Sequence, residues 1–171
     1  MSTEILESKG ALDAHTREMV AWHFSGETGC AYWLERAKGF DFDPLKDITC
    51  FADMVKFDHF DDEVLRKEDP ARFVPQAFAG KPYNVFETGG TTGMPKQRIG
   101  WEDFRTDYSE FSDHYPADFF PQGANWLMVG PTGPRRLRMA IEHLANRRGG
   151  ACFFIDLDPR WVKRLIGMGE M

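Results

Sequence analysis

Nine consecutive residues, Thr88-Gly89-Gly90-Thr91-Thr92-Gly93-Met94-Pro95-Lys96, concentrate the groups that grip a polyphosphate. Glycines at 89, 90 and 93 let the backbone approach closely and turn its N–H groups toward one anion. The hydroxyls of Thr88, Thr91 and Thr92 can donate to phosphate oxygens without adding charge, and Lys96 supplies a point positive charge. Pro95 stiffens the exit and opposes a helix start. The spacing is not that of a Walker A loop, which needs G-x-x-x-x-G-K-[ST]. Met94 and Pro95 separate Gly93 from Lys96, and Gln97 stands where the magnesium-holding hydroxyl would be. The glycines are misplaced for G-x-G-x-x-G as well. A ligand-free Gly/Thr hairpin turn is the bland alternative.

A second turn-rich stretch, Gly130-Pro131-Thr132-Gly133-Pro134, follows the apolar run Asn125 to Val129. If that run is a strand of an α/β sheet, the stretch lies at a carboxyl end, where such sheets bind ligands. Gly130, Pro131, Thr132 and Gly133 are therefore candidate substrate contacts. The remaining chemistry-bearing residues are scattered. His15, His23, His59, His114 and His143 form no His-x-x-x-His pair, and Cys30, Cys50 and Cys152 form no CxxC pair or zinc spacing. The cysteines read as buried or half-buried thiols in a reducing cytosol. Asp58-His59-Phe60-Asp61-Asp62 lacks the alternating ligands and glycine of a calcium loop and reads as a solvated loop. Glu102-Asp103 suits a helix N-terminus. There is no G-x-S-x-G nucleophile motif, and no metal site is expected from protein side chains alone.

The elements that must position these loops can be read from periodicity. Leu12, His15, Met19 and Trp22 recur at helical spacing and predict a helix from Leu12 to Phe24. A second is predicted from Glu27 to about Lys38, with Trp33, Leu34 and Ala37 packed. Phe40 to Ala79 contains Pro44, Pro70 and Pro75 and reads as short helices and loops. Tyr83 to Glu87 predicts a strand, and Gln97-Arg98-Ile99 a returning one. Phe104, Tyr108, Phe111 and Tyr115 fall at i, i+4, i+7 and i+11, an aromatic stripe expected to be core. Asn125 to Val129 and Ala151 to Ile155 predict buried strands around a helix from Arg135 to Arg148, ended by Gly149-Gly150. Strand, helix, strand at this spacing is a βαβ unit with parallel strands. The expected fold class is α/β, with a mainly helical segment at 1–80 and an α/β segment at 81–171.

Composition bounds the function. The 171 residues carry 42% apolar and 14% aromatic side chains, enough for a globular core. The net charge of −6 argues against general nucleic-acid binding. From Asn125 onward eight Lys/Arg face four acids, a basic end that could receive a phosphorylated ligand or form a solvated helix face. The opening residues show no signal peptide, and no apolar run reaches membrane-spanning length, so a cytoplasmic protein without a membrane partner is expected.

Thr88 to Lys96 is similar to the signature loop of the adenylate-forming superfamily, [ST]-[SG]-G-[ST]-T-G-x-P-K, at every position. Trp22-His23-Phe24-Ser25-Gly26-Glu27-Thr28-Gly29, followed by Tyr32-Trp33, resembles the approach seen in the phenylacetate-CoA ligase-like branch. The βαβ pattern at Trp126 to Ile155 resembles that family's next segment, more loosely. The resemblance implies the N-terminal portion of an adenylate-forming large domain. It also implies a two-step activity: a carboxylic acid, aryl or arylacetic by branch, is activated by ATP as acyl-AMP and passed to the thiol of coenzyme A or of a carrier protein's pantetheine. By that resemblance Thr88, Gly89, Gly90, Thr91, Thr92, Gly93 and Lys96 hold the β- and γ-phosphates, with Thr91 and Lys96 serving catalysis and Mg²⁺ neutralising the triphosphate.

The chain departs from the family in lacking the later magnesium-holding glutamate, the ribose-gripping Thr-Gly-Asp and the late lysine. Asp156-Leu157-Asp158 and Lys163 match only by type. The expectation is a fragment, a truncated product or one piece of a split enzyme, inactive alone and completed by a C-terminal region or partner. The rival expectation is a non-catalytic truncated paralogue that binds nucleotide or another protein. Pro131-Thr132-Gly133 implies a small, less aromatic acid pocket than many relatives have.

Overall fold

In the computed structural model, residues 3–90, 93–133 and 136–169 are described. The chain divides into two compact units, Met1–Lys81 and Pro82–Met171. Together they are mixed α/β, with small sheets of parallel and antiparallel strands.

The first unit is built on one long helix, α1 (Thr3–His23). It begins earlier than the apolar periodicity predicts. Its opening turns are rich in good helix formers yet leave Ile5 and Leu6 each 54% exposed, so propensity and not burial carries them. Thr16 and Val20 form its buried side. Helix α2 (Ala31–Ala37) starts later than predicted. Residues 25–29 instead make a tight turn in which the Gly29 amide donates to the Ser25 carbonyl at 2.8 Å. A Cβ on Gly29 would lie 2.1 Å from the His23 carbonyl oxygen, so only glycine fits there. The side chain that α2 buries most deeply is Tyr32, which the periodic pattern had not selected.

From residue 43 to 78 the unit is a succession of single turns, as the prolines predict. Three of the starts are fixed by an aspartate at the cap. Asp43 caps α3 (Pro44–Asp47), Asp61 caps the 3₁₀ turn Asp62–Arg66, and Asp69 caps the turn Pro70–Phe73; the side-chain oxygens accept amides at 2.9–3.0 Å. Asp-Pro at two of these starts joins a capping oxygen to a ring already set for the first helical residue. At the turn Phe51–Phe57, Asp53 reaches back and accepts from the Thr49 amide and hydroxyl, both at 2.8 Å. These bonds hold its carboxyl far below the usual carboxylate range.

The second unit opens with an antiparallel hairpin, β1 (Asn84–Glu87) and β2 (Gln97–Gly100), in the register Asn84↔Gly100 to Glu87↔Gln97. Helix α4 (Phe104–Asp113) follows. Strand β3 (Trp126–Gly130), helix α5 (Arg136–Arg147) and strand β4 (Cys152–Asp156) then form the βαβ unit, with β3 and β4 parallel. Helix α6 (Pro159–Met168) comes last, where periodicity had suggested no element. Ala140, Leu144 and Ala145 of α5 are buried to 1% or less, as their spacing predicts. Gly149, at φ +79°, turns the chain out of α5. Gly150 follows at a contact so close that a Cβ would lie 1.8 Å from the Ala124 carbonyl oxygen.

Two expectations about burial are corrected. The strands of the βαβ unit are covered on one face only. Met128 is buried, whereas Leu127, Val129, Phe153 and Ile155 are between 52% and 62% exposed. Alternation explains this, since α5 crosses over one side of the pair and successive side chains point to opposite faces. In the aromatic stripe of α4, Phe104 is core at 1% exposure, but Phe111 is 58% exposed and Ser112 is buried in its place. Arg148 accounts for the rotation. Its buried guanidinium donates to the Ser112 carbonyl at 2.8 Å, to the Ser112 hydroxyl at 3.2 Å and to the Phe120 carbonyl.

Candidate functional site

The loop 88–96 sits at the tip of the β1–β2 hairpin, and its two ends are bonded to each other. The Thr88 amide donates to the Lys96 carbonyl at 3.0 Å, and the Lys96 amide donates to the Thr88 hydroxyl at 3.0 Å. One rung further in, the Gln97 side-chain amide donates to the Glu87 carboxylate at 3.3 Å. Thr88 and Lys96 are thus brought together at the neck, with Gly89, Gly90 and Gly93 in the arch between them. Thr91 and Thr92 lie outside the described residues.

Glycine is required inside the arch for two reasons. Gly90 has φ +61° and Gly93 φ +148°, conformations that L side chains rarely adopt. A Cβ on Gly90 would also meet Pro95 Cγ at 3.1 Å and the Gly93 carbonyl oxygen at 3.2 Å. Pro95 therefore packs across the arch as well as stiffening its exit. The described residues thus put three glycines in an arch whose neck is formed by a threonine hydroxyl and a lysine, residue types that suit an oxyanion cradle. Behind it, Gly100 admits the Phe86 ring, because a Cβ there would come within 2.9 Å of that ring.

The second candidate loop leaves the carboxyl end of β3. Gly130 is buried, and its carbonyl accepts the Leu157 amide at 3.0 Å. The Thr132 amide donates to Asp156 Oδ1 at 3.0 Å. Pro131 and Thr132 are half-buried and Gly133 is exposed. Asp156, noticed in the sequence only as a carboxylate by type, thus shapes this loop from the end of β4.

A bridge joins the elements that follow the two loops. Asp103 accepts the Trp101 amide at 3.1 Å, just after the hairpin. Its other oxygen accepts from Arg136 at 2.9 Å, and the same guanidinium nitrogen reaches Asp107 at 2.9 Å. Arg136 is the first described residue after the second loop and the first of α5. One guanidinium therefore fixes the start of α5 against the start of α4. In the sequence Arg136 was only one of a basic run, and only the spacing of Asp103 and Asp107 by one helical turn hinted at its partners.

The described residues contain no group of three or more His, Cys, Asp or Glu placed to hold a metal ion. The acidic stretch 58–62 is engaged locally, with Asp58 accepting the His59 amide at 2.7 Å and Asp61 capping a turn. All three cysteines are free, and burial raises the Cys152 thiol pKa. No described helix is long and apolar enough to cross a membrane. Compared with known proteins, the chain matches no family model and no curated protein significantly.

Proposed function

We propose that this chain forms the phosphate-holding part of an AMP-forming acid–thiol ligase, as the N-terminal portion of that family's large domain. In this reading the arch at 88–96 receives the β- and γ-phosphates of ATP, and the loop Gly130 to Gly133 faces a small carboxylic acid. The observation that carries the reading is the closed neck of the arch, the reciprocal pair of 3.0 Å bonds between Thr88 and Lys96. It pins the two ends of the glycine-rich arch together through the Lys96 backbone and the Thr88 hydroxyl, so that a threonine hydroxyl and a lysine residue flank the glycine backbone that would meet an oxyanion.

ATP supplies the activation, with pyrophosphate as leaving group. The chain's own contribution is to bind and orient the phosphates. Lys96 offsets their charge, and the Thr88 hydroxyl, which accepts the Lys96 amide through a lone pair, keeps its own O–H to donate to a phosphate oxygen. The described side chains offer no carboxylate cage for Mg²⁺, so no step of the binding is assigned to a protein-held metal. The thiol acceptor, coenzyme A or a pantetheine arm, completes the reaction class without a site assigned on these residues.

Calorimetric titration of the full chain with MgATP and with magnesium pyrophosphate tests the reading. Both are expected to bind, AMP much more weakly, and Lys96→Ala to reduce both affinities about tenfold or more. Equal affinity for AMP and pyrophosphate, or indifference to Lys96→Ala, would sink the proposal. A rival reading, a nucleotide-binding protein without catalysis, uses the same arch; ATP–pyrophosphate exchange over a panel of acids, run with the chain completed by the C-terminal region or partner that the ligase reading requires, separates the two.

A further inference from the structure

The first unit contains a cavity of about 470 Å³ between α1 and residues 51–60, the size of a small-molecule site. Aromatic rings dominate its wall. Phe24 stacks on Phe57 with ring centres 5.3 Å apart, and Trp33 and Phe60 lie 5.6 Å apart. Phe51, at the mouth, is 56% exposed. Asp58 stands directly after Phe57 on this wall, at φ +57°, a backbone conformation uncommon for an L residue. The His59 amide fixes its carboxylate through Oδ1 at 2.7 Å.

The charge of this wall is one-sided. No Lys or Arg is among the described residues that line it. His15 faces Glu18 at 3.9 Å. Burial holds the His23 pKa below its ordinary value, so that ring adds no positive charge at neutral pH. The same asymmetry runs through the sequence around it. Residues 1–81 hold 10 Lys/Arg against 16 Asp/Glu, while residues 82–171 hold 11 of each, so the first segment carries the whole net charge of −6. A carboxylate or phosphate entering the cavity would meet Asp58 and no cation.

We propose that this cavity binds an organic cation with an apolar body, an aryl- or alkylammonium whose charge sits beside Asp58 and against the faces of the aromatic wall. Aromatic faces attract an ammonium through their quadrupoles, and the carboxylate supplies the counter-charge. The apolar body fills the remaining volume against Met19, Val20 and Met54. The site shares no described lining residue with the phosphate arch and does not depend on the ligase reading.

The full chain, carrying ¹³C-methyl methionine, is titrated with benzyltrimethylammonium, with benzyl alcohol and with phenylacetate. The ammonium is expected to shift the Met19 and Met54 methyl signals saturably while leaving Met128 unmoved. Phenylacetate is expected to bind at least about tenfold more weakly. Asp58→Asn should weaken the ammonium by about three- to tenfold and leave benzyl alcohol unchanged, since asparagine tolerates positive φ. Leu12→Trp, at a cavity residue already 43% exposed, should fill the site and remove every shift without burdening the fold. The proposal is overturned if no saturable shift occurs, if phenylacetate matches the ammonium, or if Asp58→Asn leaves the preference for the cation intact.

Discussion

Replacing Gly90 with alanine isolates the conformation of the arch from its chemistry. The substitution removes no hydrogen-bonding group. It places a Cβ on a residue at φ +61°, which costs about 1–2 kcal/mol for an L side chain. The Cβ also meets Pro95 Cγ at 3.1 Å and the Gly93 oxygen at 3.2 Å, contacts that force a further small shift. Together about 2 kcal/mol is expected. The arch is a hairpin tip, so the free chain can relieve most of this by letting the loop rearrange. A bound polyphosphate needs the original arrangement and bears the full difference, about 30-fold in affinity at 1.4 kcal/mol per tenfold. Calorimetry with MgATP measures the affinity, and urea unfolding measures stability, expected to fall by less than about 1 kcal/mol. If Gly90→Ala binds MgATP as wild type does, or loses stability in step with affinity, the arch is a structural turn and the reasoning fails.

Gly150→Ala should behave in the opposite way. Its Cβ would collide with the Ala124 backbone at 1.8 Å, so circular dichroism should show loss of folded structure, while Gly133→Ala, with open space around it, should be silent. Leu144→Ala, at 1% exposure, should lower unfolding free energy by about 3 kcal/mol in urea titrations. The depressed His23 pKa means that the unfolded chain binds the proton more readily than the folded one. Stability linked to this residue is therefore complete above the ordinary value of 6.5 and is lost as pH falls through it. The urea midpoint should drop as pH falls below the ordinary histidine value of 6.5, and His23→Gln should flatten that drop.

Elements whose own residues decide their conformation were legible in the sequence. The hairpin was readable because β-prone Tyr83 to Glu87 and Gln97 to Ile99 flank a glycine-rich break. The βαβ unit was readable because α5 keeps strict apolar spacing and ends at Gly149-Gly150. What stayed hidden was set by partners distant along the chain. A hydrophobicity pattern ranks Phe111 above Ser112, yet Arg148, 36 residues away, needs the Ser112 hydroxyl and carbonyl and draws that side inward. The strands looked buried because apolar runs do not reveal how many faces are covered. At the site, the arch residues were recognisable by type. The closure of its neck, the hold of Asp156 on the second loop and the Arg136 bridge are spatial facts that no local pattern encodes.

The grip of Arg148 also orders the assembly of the second unit in time. Residues 112 and 120 are held by a side chain far downstream, the Gly123 amide donates to the Arg148 carbonyl at 2.7 Å, and Trp126 donates to Ala151 at 2.8 Å. The long-range bonds of the stretch between α4 and β3 therefore cannot form, during synthesis, before the end of α5 emerges. Until then the stretch is held only by local contacts such as the Tyr115–Phe120 ring pair, 4.7 Å between centres. A chain paused before residue 148 is the species a chaperone would meet, and Arg148→Met is expected to slow refolding more than it hastens unfolding.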